Sequence, residues 1–243
     1  MHKASFPSKL NRRRALGLIA VTAGGTALVP VHLFAQQASS QSASLLLPEA
    51  GVCSITPETT EGPYYFDPEL ERSEITEGRE GAGLTVRLQI VDEACNPIEG
   101  ARVDLWHCDA SGHYSGYPGQ GDGRDVDTTG QKFLRGWQRA DKAGVATFQT
   151  IYPGWYRGRT THIHFKAFPE EGRAMTGQMF FPDDLSERIF STRAPYNQRD
   201  GRRDTMNADD GILRRAGSGV QSAVREAAST YEALMIIAVK RAG

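Results

Sequence analysis

Residues 151–166 read I-Y-P-G-W-Y-R-G-R-T-T-H-I-H-F-K. Side chains two apart on an extended strand share a face. His162 and His164 therefore project together, while Ile163 and Phe165 project the other way. Such a pair is either two metal ligands or two histidines hydrogen-bonded to neighbours in a half-buried strand. The surrounding residues favour the first reading. Tyr156 lies just upstream, and Tyr114 follows the turn D-A-S-G-H. Phenolate oxygen is a hard, strongly donating ligand. A free phenol ionises only near pH 10, so a phenolate at neutral pH needs a highly charged ion beside it. Two phenolates with two imidazoles select Fe(III) over Zn(II) or Fe(II). A 2-His-1-carboxylate site would need an Asp or Glu at H-x-D spacing, and H-I-H-F-K has none.

The elements that position these residues are mostly strands. Residues 84–92, 101–108, 133–140, 145–150, the histidine segment, 177–181 and 231–239 read as strands, the last with helix as the alternative. Asp141-Lys142-Ala143-Gly144 reads as a hairpin turn between two of them. Residues 184–190 suggest a short helix, and 220–227 are open between helix and strand. Short strands, close turn signals and no internal repeat predict an all-β fold, an antiparallel β-sandwich with long active-site loops and little helix. The aromatic segment T-P-E-T-T-E-G-P-Y-Y-F (56–66) is either an arm packing Tyr64 and Tyr65 on a sheet or a wall of the site. Asp122, Asp125 and Asp127 sit in a Gly-rich loop whose spacing does not match a calcium-binding EF-hand, so a solvated loop is expected.

The chain has 243 residues, 39% hydrophobic and 23% charged, enough for one sizeable core. A net charge of −1 gives no sign of a nucleic-acid or anionic-membrane partner. Residues 1–35 read as an export signal of twin-arginine type. Arg12 and Arg13 precede a mildly apolar stretch, and Ala35 precedes a plausible cleavage point, although Asn11 and Ala15 depart from the usual motif. A periplasmic or secreted protein is expected, with no stable membrane insertion after cleavage; an uncleaved anchor is the alternative. Residues 36–50 form a polar linker, and 51–243 the folded domain. Of the three cysteines, Cys95 and Cys108 flank a strand of about seven residues that spans over ~20 Å. Those two therefore cannot bridge. Cys53 is left to pair with one of them, with Cys95 favoured over Cys108.

Six segments, in this order, resemble the intradiol ring-cleavage dioxygenases, which include catechol 1,2- and protocatechuate 3,4-dioxygenases. They are T-E-G-P-Y-Y (60–65), W-H-C-D-A-S-G-H-Y-S (106–115), T-I-Y-P-G-W-Y (150–156), R-T-T-H-I-H-F (159–165), G-Q-M-F-F (177–181) and R-D-T-M-N-A-D-D (203–210). The resemblance implies a non-haem Fe(III) held by Tyr114, Tyr156, His162 and His164. It implies a small aromatic ortho-diol and O2 as partners, with both oxygen atoms inserted and a cis,cis-muconate-type product. Tyr156 would be the displaceable ligand and general base, Arg159 the cation beside the bound ring, and Gln178 a further active-site residue. Tyr152, ahead of the Pro-Gly turn, is set aside, and His107 and His113 are assigned structural roles. Only Arg157-Gly158 separates Tyr156 from Arg159, which shortens the expected pocket wall and leaves the particular catechol open. Arg157 either meets a substrate carboxylate or is a solvated charge. The oligomeric state is open. The competing readings are a non-catalytic β-sandwich binding module and another His/Tyr metalloenzyme, such as a zinc hydrolase.

Overall fold

The computed structural model describes residues 53–170 and 172–240. The expected export signal and linker lie outside them. The elements are β1 (Gly83–Asp92), β2 (Arg102–Trp106), β3 (Arg135–Arg139), β4 (Val145–Ile151), β5 (His162–Glu170), β6 (Arg173–Phe180), α1 (Asp183–Thr192), α2 (Gly211–Ala216), β7 (Ala223–Ala227) and β8 (Thr230–Val239). Two four-stranded sheets, ordered β4-β1-β8-β7 and β3-β2-β5-β6, form the sandwich.

The expected sandwich is present, with one correction: β1 and β8 pair in parallel, from Leu84 with Tyr231 to Asp92 with Val239. Parallel neighbours need a long crossover, and here the whole second sheet lies between the two strands in sequence. The ambiguous 220–227 stretch contains strand β7. Strand β2 stops at Trp106, where its pairing with β3 and β5 also ends.

The core fills the space between the sheets. Leu84, Val86, Leu88 and Ile90 of β1 meet Val103 and Leu105 of β2, Ile163, Phe165 and Ala167 of β5, and Ala233, Met235 and Ile237 of β8 in one buried cluster. Gly177 lies opposite Phe165. A Cβ at Gly177 would sit 2.1 Å from Cζ of that ring, so the glycine makes room for the phenyl group. The outer face of the second sheet is also covered. Arg135, Trp106, His164 and Gln178 stand in one cross-strand row over β3, β2, β5 and β6. The chain before β1 crosses this face: Thr59 N–H donates to Thr176 O, and Arg72 N–H to Trp137 O.

Cys53 is bonded to Cys95, and Cys108 is a buried free thiol. The bridge closes a span of 42 residues and packs with Val91 and Ala238 in a small second core. No helix among the described residues is long and apolar enough to cross a membrane. Loss of the bridge frees the unfolded chain by about 4 kcal/mol in the loop-entropy account. Reduction, or Cys53→Ser, is therefore expected to lower the melting temperature by about 10 °C, measured by circular dichroism with and without dithiothreitol.

Candidate metal centre

His162 and His164 are buried on the outer face of β5, with their Nε2 atoms 3.1 Å apart. His162 Nδ1 lies 2.7 Å from Thr160 O, which assigns the proton to Nδ1 and frees the Nε2 lone pair. His164 is held by shape: its ring stacks on Trp106, with centroids 5.0 Å apart and planes 15° apart. Gly62, at φ +73°, lies against its other side, where a Cβ would be 3.2 Å from His164 Cε1. Nδ1 of His164 has no hydrogen-bond partner. Burial first, and then neighbouring cationic groups, push both imidazoles well below their usual pKa. Both are neutral, with lone pairs available to a cation.

The two tyrosines arrive on loops that cross in backbone contact. Asp109 Oδ1 accepts the N–H groups of Ser111 and His113, both at 2.9 Å, and so shapes the turn that delivers Tyr114. Gly112 and Gly154 sit at the crossing. A Cβ on Gly112 would lie 2.4 Å from Trp155 O, and one on Gly154 2.4 Å from Ala110 O. The missing side chains let the 109–114 turn and the 153–156 turn touch. As a result Tyr156 Oη lies 3.0 Å from His162 Nε2, and Tyr114 Oη lies 3.4 Å from Tyr156 Oη and 3.5 Å from His162 Nε2.

Donors that share one first-row ion at about 2 Å stand about 3–3.5 Å from each other. Four donor–donor distances fall near that range, with His164 Nε2 joining the set through His162 Nε2, so the group suits a common cation. Burial, with mutual repulsion in the case of Tyr114, drives both phenols above their usual pKa. They ionise only if a cation supplies compensating charge. Among the described residues no group of three or more His, Cys, Asp and Glu could hold a metal, so this centre is complete only when the phenols are counted.

The remaining tyrosine and histidines have other partners. Tyr152 bonds Ser186 Oγ at 2.8 Å within the main core. Both ring nitrogens of His107 are used, by Cys108 O at 2.8 Å and Thr150 Oγ1 at 2.7 Å. His113 lines the adjoining cavity near Asp109.

Arg159 reaches the donors from one side. Its Nη1 lies 3.4 Å from His162 Nε2, its Nε donates to Asp210 Oδ2 at 2.8 Å, and its Nη2 donates to Gln178 Oε1 at 2.6 Å. Gln178 Nε2 in turn donates to Thr60 O at 2.7 Å. Asp210 is the residue that sequence reasoning missed. Its Oδ1 caps α2 by accepting the N–H groups of Ile212 and Leu213, at 2.9 and 3.0 Å, while Oδ2 takes Arg159 and Thr160 N–H. Burial alone raises this carboxyl's pKa, but Arg159 and the N–H donors outweigh it and hold the group below its usual range. An Asp immediately before G-I-L-R-R-A is an N-cap signal, and that signal was available.

A cavity of about 470 Å³ opens onto Tyr114 and Tyr156 and is also lined by Tyr64, His113, Gln120 and Arg157. Tyr64 stacks on Tyr114 with centroids 4.6 Å apart. The aromatic segment thus supplies both a wall and an arm, because Tyr65 turns away to donate to Asp104 at 2.8 Å and to pack on Trp106. Arg157 is paired with Asp122 at 3.0 Å, both exposed at the rim.

Comparison with known proteins gives a consistent assignment. The family described as Dioxygenase matches residues 60–192, more than half of the chain. An intradiol ring-cleavage dioxygenase from Tetranychus urticae superposes with a TM-score of 0.70 at 36% identity, covering 77% of this chain and 95% of that one. The dioxygenase domain of a carbohydrate-binding fusion protein from Streptomyces sp. SirexAA-E gives 0.58 at 28% identity, covering 78% of this chain and all of that one. The protocatechuate 3,4-dioxygenase beta chain of Burkholderia cepacia is 30% identical over 128 residues, 49% of this chain and 53% of its own length. The first curated relatives are matched over about a fifth to a half of their length.

Removal of the Asp210 carboxylate leaves a partly buried guanidinium and the first N–H groups of α2 without their acceptor. Asp210→Ala is expected to destabilise the fold by about 2–4 kcal/mol, read by denaturant titration. A loss below about 0.5 kcal/mol would show that the carboxylate does not anchor Arg159.

Proposed function

The chain belongs to the intradiol ring-cleavage dioxygenase family, and we propose that it is a non-haem Fe(III) enzyme. In this reading it inserts both atoms of O2 into a catechol-type ortho-diol, opening the ring between the two hydroxyl-bearing carbons to a cis,cis-muconate-type diacid. The observation that carries the reading is the convergence of two phenol oxygens and two imidazole nitrogens on one buried point, with contacts of 3.0–3.5 Å. A binding module has no need to bury two phenols and two imidazoles at one point, whereas a cation would use all four.

Fe(III) held by Tyr114, Tyr156, His162 and His164 would supply the charge that ionises the phenols and the diol, and the redox access through which the diol ring reacts with O2. The protein's own groups do the rest. Tyr156 faces the cavity and takes one diol proton as general base; its burial makes the phenolate a strong base. Arg159, fixed by Asp210 and Gln178, holds its guanidinium against negative charge that develops on the ring. Tyr64 gives the diol ring an aromatic wall beside Tyr114. The atoms balance with one diol and one O2, and no external reductant is consumed. The twin arginine, together with the Cys53–Cys95 bridge, supports export to a periplasmic or extracellular space, where disulfides persist.

The Fe(III)-loaded protein is expected to be coloured by phenolate-to-iron charge transfer, and anaerobic catechol should move the band to longer wavelength. Tyr114→Phe should abolish or strongly weaken the colour. Arg159→Met should keep it while turnover, followed by oxygen uptake, falls by about 10²–10³. A protein that stays colourless after Fe(III) loading would sink the reading.

A further inference from the structure

Arg135 opens β3 on the outer face of the second sheet, opposite Trp106. Its residue exposure is 1%, yet no carboxylate pairs with it among the described residues. A buried guanidinium without a counter-ion is costly, and a neutral residue of similar volume avoids that cost. What the group holds explains its presence. Nε donates to Ser115 Oγ at 2.8 Å, Nη2 to Ser115 O at 2.7 Å, and Nη1 to Tyr64 O at 3.0 Å. Ser115 Oγ has spent its own proton on Phe133 O at 2.7 Å and so can only accept from Arg135. The guanidinium carbon stands over the Phe66 ring, 4.1 Å from its centroid.

These contacts share a target. Ser115 directly follows Tyr114, and Tyr64 is the ring stacked on Tyr114. One planar fork therefore grips the main chain of Tyr64 and of Ser115, the residue next to Tyr114, from two loops far apart in sequence. Other bonds complete the grip, with Tyr114 N–H on Gln120 Oε1 at 3.0 Å and Thr128 Oγ1 on Tyr114 O at 2.6 Å. A lysine keeps the charge but cannot address three oxygens in that fixed geometry.

We propose that Arg135 is a positioning residue for the metal centre: it sets where the Tyr114 phenol stands by clamping the adjoining Ser115 and the backbone of its stacking partner Tyr64. The inference rests on the metal-centre reading, and the test separates the two. Native protein, Arg135→Lys, Ser115→Ala and the exposed-site control Arg139→Lys are loaded with Fe(III) without substrate. Visible band position, retained iron and melting temperature are then compared. Arg135→Lys is expected to shift and weaken the band and to lose about 10- to 100-fold in iron affinity, with Arg139→Lys unchanged. Ser115→Ala, which removes one of the three acceptors, should shift the band the same way by less, and it decides the matter if Arg135→Lys does not fold. A variant that melts earlier but keeps the native band and iron affinity overturns the inference and leaves Arg135 a purely structural residue. A colourless native protein overturns the centre itself.

Discussion

The strict alternation of β5 is the constraint on which the rest depends. Ile163, Phe165 and Ala167 face the core, while His162 and His164 face outward under the loops. One residue of slippage would exchange the two sets. The register is enforced from both sides. β2 and β6 flank the strand, and the pairing of Phe165 with Gly177 tolerates no added side chain. A single strand therefore gives the sandwich its packing and the centre its imidazoles, and any sequence that keeps the core in register also keeps the imidazole pair in place.

The centre combines low polarity with high donor density. Its imidazoles are held neutral and its phenols protonated by the same burial, so an arriving cation meets imidazole lone pairs and phenols that it can ionise. Cys108 packs beside Trp106 and Tyr114 and donates its S–H to Gly154 O at 3.4 Å. Burial, with Asp109 nearby, raises its pKa. Because the thiolate is the reactive form, this thiol stays inert next to a site proposed to handle O2.

Strands and donors were legible because both follow local rules: period-two alternation for the sheets, and residue chemistry with spacing for the two histidines. Tyr114 and Tyr156 were candidates from residue type and nearness in the chain, and the resemblance preferred Tyr156 to Tyr152; in the structure Tyr156 stands beside His162 while Tyr152 lies in the core. What stayed hidden depends on distant partners. The parallel β1–β8 pairing follows from the path of the whole chain, and nothing in either strand encodes it. R-G-W-Q-R in β3 reads as a polar strand, yet Arg135 is buried on two carbonyl oxygens and one serine hydroxyl, partners with no charge to mark them in the sequence. Asp210 was visible as a helix cap, but its second partner, Arg159, lies 51 positions away.

That double use of Asp210 couples a helix end to the guanidinium. Helix α2 has six residues, too few to persist without its cap and its packing. The oxygen that caps it and the one that holds Arg159 belong to one carboxylate, so fraying of the helix loosens one of the two grips on the guanidinium, the bond to Gln178 being the other. On warming, such a short segment opens well before the sheets do. Such an opening would leave the donor cluster in place and Arg159 tethered through Gln178, so the full hold on the guanidinium is only as firm as this six-residue helix.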